Sequence, residues 1–244
     1  MIVIPAVDIR DGKVVRLFRG DFSKETVYSG DPVKSALKWQ SEGAKRLHVV
    51  DLDGALMGKL KNLDWVRKIT ASIDIPVEVG GGIRTESELK TIINAGASYA
   101  ILGTKACEDE EFLKNAVDRY GEKIMVSLDI RDGYLQTKGW VNPTDIKAVD
   151  FAKRIKKIGV KTVEYTDISR DGTLQGPGFE NILKFLKEVE IDMVVSGGIS
   201  SIADLRILKD YDRKEIVGVI VGRALYDSKI ILKEANKVCL PRTK

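Results

Sequence analysis

VDIRDGKV at residues 7–14 and LDIRDGYL at residues 128–135 are nearly the same phrase written twice, and the fold follows from that repetition. In each copy an apolar β-rich run ends on an aspartate, and the Arg-Asp-Gly that follows carries Asp-Gly, ordinary turn chemistry. Asp8 and Asp129 lie 121 positions apart, 129 minus 8. Two further landmarks recur in the same order: GGI at Gly81 returns at Gly197, 116 positions on, and ILGTKA at Ile101 resembles IVGRAL at Ile220, 119 on. Three matched landmarks at about half the chain length point to a duplicated structural unit.

Between the landmarks, short apolar runs alternate with segments of helical period. The runs are IVIPAV (2–7), RLHVV (46–50), PVEV (76–79), YAIL (99–102), IMVSL (124–128), TVEY (162–165), MVV (193–195) and GVIV (218–221). Helical spacing is read over 32–42, 86–95, 146–158 and 179–188, usually opened by Asp, Ser, Thr or Asn. Strict β-then-α alternation implies parallel strands joined by helical crossovers, and strands without polar alternation imply a sheet covered on both faces. Eight such units predict an α/β fold, a (β/α)8 TIM barrel built from two repeated half-barrels of four units each. A doubly wound open sheet is the structural alternative. No Pro, Gly or Ser-rich linker divides the chain, so residues 1–240 are expected to form one domain and 241–244, PRTK, an untethered tail.

Composition narrows the classes of function. The longest apolar stretches, such as VGVIV at 217–221, stop far short of a membrane span. The N-terminus lacks the basic region and cleavage site of a secretory signal, so a cytoplasmic protein is expected. Cys107 and Cys239 match no zinc spacing and read as reduced thiols. Forty basic and thirty-six acidic residues give a net charge of +4, interspersed rather than clustered. That mildly favours anionic small molecules and does not indicate nucleic acid. The basic run Lys153, Arg154, Lys156, Lys157 has the spacing of a solvated helix face.

In a barrel of this kind the active site is built from the loops that follow the strands. Asp8 and Asp129 end strands one and five, on opposite sides of the mouth. There one carboxyl can serve as base and the other, kept protonated, as acid. Asp11 and Asp132 read as turn formers. Gly81, Gly82 and Arg84 follow strand three and Gly103 and Thr104 strand four. Gly197 and Gly198 follow strand seven, and Gly222 and Arg223 strand eight. Glycines at such positions let backbone N–H groups approach an anion, with a helix N-terminus behind them. Recurrence in both halves predicts two phosphate sites facing each other, hence a bisphosphorylated small-molecule substrate whose middle lies between the aspartates.

Other polar residues surround that site. The loop after strand six, YTDISRDGTLQGPG, offers Thr166, Asp167 and Asp171 for orienting a polar substrate; its other reading is a plain surface loop. His48, the only histidine, is either an oriented strand-end imidazole or a structural core residue. Trp140 suits stacking on a planar ring or anchoring its own loop. No metal-ligand cluster, Ser/His/Asp array or dinucleotide fingerprint can be assembled.

Taken together, PAVDIRDGKVVRL, HVVDLDGA, VGGGIRT, ILGTKA, SLDIRDGYLQTKGW, YTDISRDGTLQGP, SGGIS and VIVGRALY resemble the histidine-biosynthesis isomerases that act on phosphoribosylformimino-AICAR phosphate, over residues 1–238. The resemblance implies an Amadori rearrangement of an aminoaldose to an aminoketose without cofactor or metal. It implies that Asp129 is the general acid and Asp8 the base, that Thr166 and Asp171 contact substrate, and that the glycine loops grip two phosphates. A monomer is expected. Ser127, Glu78 and Glu164 depart from the family's commoner residues, which are Gly or Ala, Gln, and an apolar residue. Two related readings remain open. One is a bifunctional isomerase that also takes phosphoribosylanthranilate, for which Arg19 leaves room. The other is the sister cyclase that works with a glutaminase subunit. A non-catalytic phosphosugar-binding barrel is the reading from another class.

Overall fold

A computed structural model describes residues 1–140 and 142–239; the expected tail, 241–244, lies outside them. In the first repeat the chain runs through β1 (Ile2–Arg10), β2 (Lys13–Phe18), β3 (Asp21–Ser29), α1 (Pro32–Ser41), β4 (Leu47–Asp51), α2 (Leu52–Met57), α3 (Leu63–Ser72), β5 (Val77–Gly80), α4 (Glu86–Asn94), β6 (Tyr99–Leu102), α5 (Thr104–Glu108) and α6 (Glu110–Tyr120). The second repeat carries β7 (Ile124–Arg131), β8 (Tyr134–Thr137), β9 (Asn142–Lys147), α7 (Ala148–Ile158), β10 (Thr162–Asp167), α8 (Phe179–Val189), β11 (Asp192–Ser196), α9 (Ile202–Asp210), β12 (Ile216–Val221), α10 (Arg223–Tyr226) and α11 (Leu232–Cys239).

Eight strands pair in parallel in the order β1, β4, β5, β6, β7, β10, β11, β12, and β12 pairs back to β1, closing the barrel. Alternation along each strand divides the core. Val3, Val7, Leu47 and Val49 belong to the main cluster, which also takes in the helix residues Leu89, Phe151 and Leu186. Ile4, Ala6, Ile101, Met125, Val194 and Ile220 form a separate plug inside the barrel. Because Ile4 and Ala6 belong to that plug, Asp8 also points inward, at the C-terminal end of β1.

Helix starts repeat the logic of the sequence. Asp31 caps α1, accepting from Val33 N at 3.0 Å and Lys34 N at 3.1 Å with Pro32 in the first turn. Thr85 with Glu88 opens α4 and Ser201 with Asp204 opens α9, each a reciprocal capping box. Each pair recurs at the same 116-position offset, 201 minus 85 and 204 minus 88. No helix among the described residues is long and apolar enough to cross a membrane.

Two features differ from the sequence reading. The segment expected to be helical from 146 begins its helix at Ala148, because Asn142–Lys147 pairs with β8 as a strand. Four extra strands, β2, β3, β8 and β9, extend the sheet beyond β1 and β7. The inner arms β2 and β8 start from the Asp-Gly turns: Asp11 and Gly12 have φ of 48° and 72°, Asp132 and Gly133 of 53° and 85°. Two central residues with positive φ make the tight turn whose twist matches a hairpin. Asp11 and Asp132 therefore act as turn formers, as read.

Candidate active site

The hairpins place their residues over the mouth of the barrel. Asp8 is 9% exposed, and the Arg16 guanidinium from β2 donates Nη1–H to its Oδ2 at 2.7 Å. Asp171 Oδ1 lies 3.9 Å from the same guanidinium. Asp129, on the other side, keeps different company. Ser127 Oγ donates to its Oδ1 at 3.0 Å, and Trp140 and Thr166 also hydrogen-bond to it. Burial outweighs these donors, and with the charge of Asp171 it pushes the Asp129 carboxyl up to about 6. Asp8 is thus the carboxylate partner of a cation and Asp129 a carboxyl that holds its proton toward neutrality. Asp171 is itself raised, by burial first, against the opposing pull of Arg16.

The anion loops occupy two recesses. Gly81, Gly82, Arg84, Gly103 and Thr104 line the main cavity together with Asp8 and Asp129. Gly197, Gly198, Gly222 and Arg223 line a smaller adjoining recess, which shares Arg16, Asp171, Ser196 and Ile220 with the first. Gly103 and Gly222 adopt matching backbone angles, φ −102° in both and ψ −106° and −100°, and each begins a short helix with no side-chain cap. Their backbone N–H groups are the ones left for an anion. By contrast, the N–H groups of Arg84 and Thr85 just ahead of α4, and of Ser200 and Ser201 just ahead of α9, already donate to Glu88 and Asp204, so those two loops offer fewer donors to a phosphate than the sequence implied.

Glycine at 81 and 197 has a second reason. A side chain at Gly81 would place Cβ 2.2 Å from the Asp51 carbonyl oxygen, and at Gly197 2.7 Å from that of Asp167. Each loop thus packs on the end of the preceding barrel strand. Arg84 is half-buried and has no carboxylate within 4.0 Å among the described residues; desolvation lowers its pKa. A desolvated guanidinium beside open N–H groups is an anion site in waiting.

Trp140 reaches the cavity rim against Gly20, where a Cβ would meet its ring at 2.2 Å. Thr166 lines the same cavity with its side chain toward Asp129. His48 reaches the cavity floor, 4% exposed, so it is both buried and site-facing. Arg19 is not brought in. It sits at φ 53° in the turn after β2, exposed, with its guanidinium 5.3 Å from the Phe18 ring centre. Only its backbone N–H touches the site, donating to the Asp171 carbonyl at 3.1 Å. Arg16, which the sequence reading does not single out, stands in the site instead, paired with Asp8. The one available signal is a lone arginine inside the apolar run VVRL.

Glu164 is the other residue the sequence reading left unassigned. It lies in the floor, where burial raises its carboxyl and the positive charge of His48 pulls it back down, so the two titrate as one coupled buried pair. His48 is pulled up to about 9: burial opposes its charge, and Glu164 and Glu78 outweigh that.

A model of the histidine biosynthesis proteins matches residues 2–231. The chain belongs to that family. Within it, the chain is 48% identical over 235 residues to a protein of Dehalococcoides mccartyi, covering 96% of this chain and 98% of that one. It is 45% identical to a protein of Bacillus anthracis, covering 98% of each, and 44% identical to one of Clostridium novyi, covering 98% and 99%. All three relatives bear the name 1-(5-phosphoribosyl)-5-((5-phosphoribosylamino)methylideneamino)imidazole-4-carboxamide isomerase. Family membership and the barrel fold agree with the resemblance drawn from the motifs.

Proposed function

We infer that this chain is the aldose–ketose isomerase of histidine biosynthesis, converting phosphoribosylformimino-AICAR phosphate to its phosphoribulosyl form. The observation that carries the inference is the unequal pair Asp8 and Asp129 in one cavity. The two glycine-lined recesses beside them and the near-full-length likeness to isomerases support it.

The geometry suits the rearrangement step by step. The phosphates at the two ends of the substrate occupy the recesses, one at Gly81, Gly82, Gly103, Thr104 and Arg84, the other at Gly197, Gly198, Gly222 and Arg223. Asp129 gives its proton to the ribose ring oxygen as the bond from that oxygen to C1 breaks, leaving a C1=N iminium. Asp8 then takes the proton from C2; the C–H pair becomes C1=C2 and the iminium pair returns to nitrogen. The resulting enaminol tautomerises to the aminoketose, so atoms and electrons balance with no external oxidant. Thr166 and Asp171 hold the sugar hydroxyls, and Trp140 covers the imidazole ring. All these groups come from one chain, so a monomer in the cytoplasm, with residues 1–240 as its one domain, suffices for turnover.

The test is a steady-state assay of purified protein alone, with phosphoribosylanthranilate in parallel. Turnover of the formimino substrate alone is the expected result. Turnover of both substrates would make the enzyme bifunctional, and turnover of neither by folded protein would sink the isomerase reading.

A further inference from the structure

The floor of the cavity holds more ionisable groups than Asp8 and Asp129 account for. His48, Ile101, Glu164 and Ile220 line it, one from each even-numbered barrel strand (β4, β6, β10, β12). Such a layer inside a (β/α)8 barrel is ordinarily filled by bulky branched apolar residues. Here two of its members face each other as an ion pair: His48 Nε2 lies 3.8 Å from Glu164 Oε1, on side chains 6% and 9% exposed.

The pair continues downward. His48 Nδ1 lies 3.0 Å from Glu78 Oε1, and fully buried Glu78 accepts from Arg46 Nη1 at 3.2 Å. Arg46 rests over the Tyr99 ring, 4.5 Å from its centre, at the N-terminal ends of the strands. Glu78 therefore has two cationic partners, whereas the one ion pair of Glu164 among the described residues is with His48. Glu164 also stands in register with Ser127, whose hydroxyl donates to Asp129. Desolvating two charges is costly, and an apolar layer would avoid that cost.

We propose that Glu164 is a positioning residue for the isomerisation: paired with Nε2, it holds His48 as an imidazolium in the cavity floor between the base Asp8 and the acid Asp129. The proposal rests on the isomerase reading above. The carboxylates facing His48 are Asp8 on β1, Glu78 on β5, Glu164 on β10 and Asp171 in the following loop; Arg46 and Arg16 oppose them through Glu78 and through Asp8 and Asp171. Burial alone would strip the proton from the imidazole, and Glu164 leads the groups that keep it there. A fixed cation at that place stabilises the electron-rich enaminol formed when Asp8 takes the C2 proton. It moves no proton itself and is lost when His48 becomes neutral.

His48 is the only histidine in the chain, so its ring resonances in an NMR titration of the substrate-free protein report this pair directly. The wild-type ring should titrate well above its ordinary value of 6.5, and Glu164→Gln should bring the titration down by about one unit or more. In the pH profile of kcat/KM, the alkaline decline should steepen where His48 loses its proton, and that steepening should move down with the NMR value in Glu164→Gln. Glu164→Asp, which keeps the charge, should recover part of the shift. A wild-type ring titrating near 6.5 would overturn the proposal without any variant. So would an imidazole that shifts in Glu164→Gln while the kcat/KM profile keeps its shape, or a loss of activity equal at every pH. Failure of the wild-type protein to turn over substrate would overturn the isomerase reading and this role with it, whereas normal turnover with an unmoved profile overturns the role alone.

Discussion

Asp8 and Asp129 are the same side chain in two surroundings, and the surroundings divide their labour. Asp8 meets a guanidinium at 2.7 Å, while burial outweighs the hydrogen bonds at Asp129 and raises it to about 6. Asp8→Asn and Asp129→Asn should each lower kcat by about a thousandfold while a substrate analogue still binds, since the phosphate grips lie elsewhere; calorimetry beside turnover checks both halves of that statement. An acid raised to about 6 is progressively deprotonated above that pH, so kcat/KM should decline through that point in the wild type. That first decline should vanish from the residual activity of Asp129→Asn. Arg16→Met would leave buried Asp8 and Asp171 without their shared cation, with an expected loss of about 3 kcal/mol in urea unfolding. The aspartates were legible because an acid at the apolar end of a strand, in both halves, has no turn-forming excuse. Arg16 was not legible, because its inward direction depends on a hairpin that is seen only once residues 11–12 are recognised as a tight turn with positive φ in both members. Without that, the exposed Arg19 looks equally placed.

At the scale of elements, the duplicated sequence becomes duplicated geometry. Gly81 and Gly197 have φ of 97° and 90°, and each backs onto a strand-end aspartate, Asp51 or Asp167, 116 positions apart. Gly197→Ala forces a Cβ against a carbonyl in a left-handed conformation; it should cost about 2 kcal/mol of stability and raise KM, measured by denaturant melts and initial rates. Thr85→Ala removes half of a capping box and should cost about 1 kcal/mol in the same melts, without touching kcat. Eight barrel strands could be read from apolar runs because both faces of a parallel sheet are covered. The strand Asn142–Lys147 reads partly as helix, since its polar, half-exposed residues carry a weak strand signal and Ile146 falls three residues before Val149, at helical spacing. What makes it a strand is pairing to β8, a contact that local spacing cannot show.

For the whole molecule, the buried groups couple stability to pH. His48 is raised to about 9 and Asp129 to about 6, so the folded chain binds more protons than the unfolded one across neutral and mildly alkaline pH. The sign follows: these contributions are complete below each group's unfolded value and are lost as pH rises through the folded value. Stability in urea should therefore fall between about pH 7 and pH 9.5, by on the order of 1–3 kcal/mol, and the fall should be smaller in His48→Gln. Closure of the eight-stranded ring has one more effect. Among the described residues, the strands left with an unpaired side are β3 and β9, the outer arms of the two hairpins at the mouth. Exposed strand borders invite other chains to add on and begin aggregates. Both arms carry the usual deterrents, Lys24 and Glu25 on β3 and Pro143, Asp145 and Lys147 on β9. The protein thus keeps its polymerisation-prone borders at the entrance its substrate must use, and guards them there with charge and proline, so that an open mouth does not become a seed for self-association.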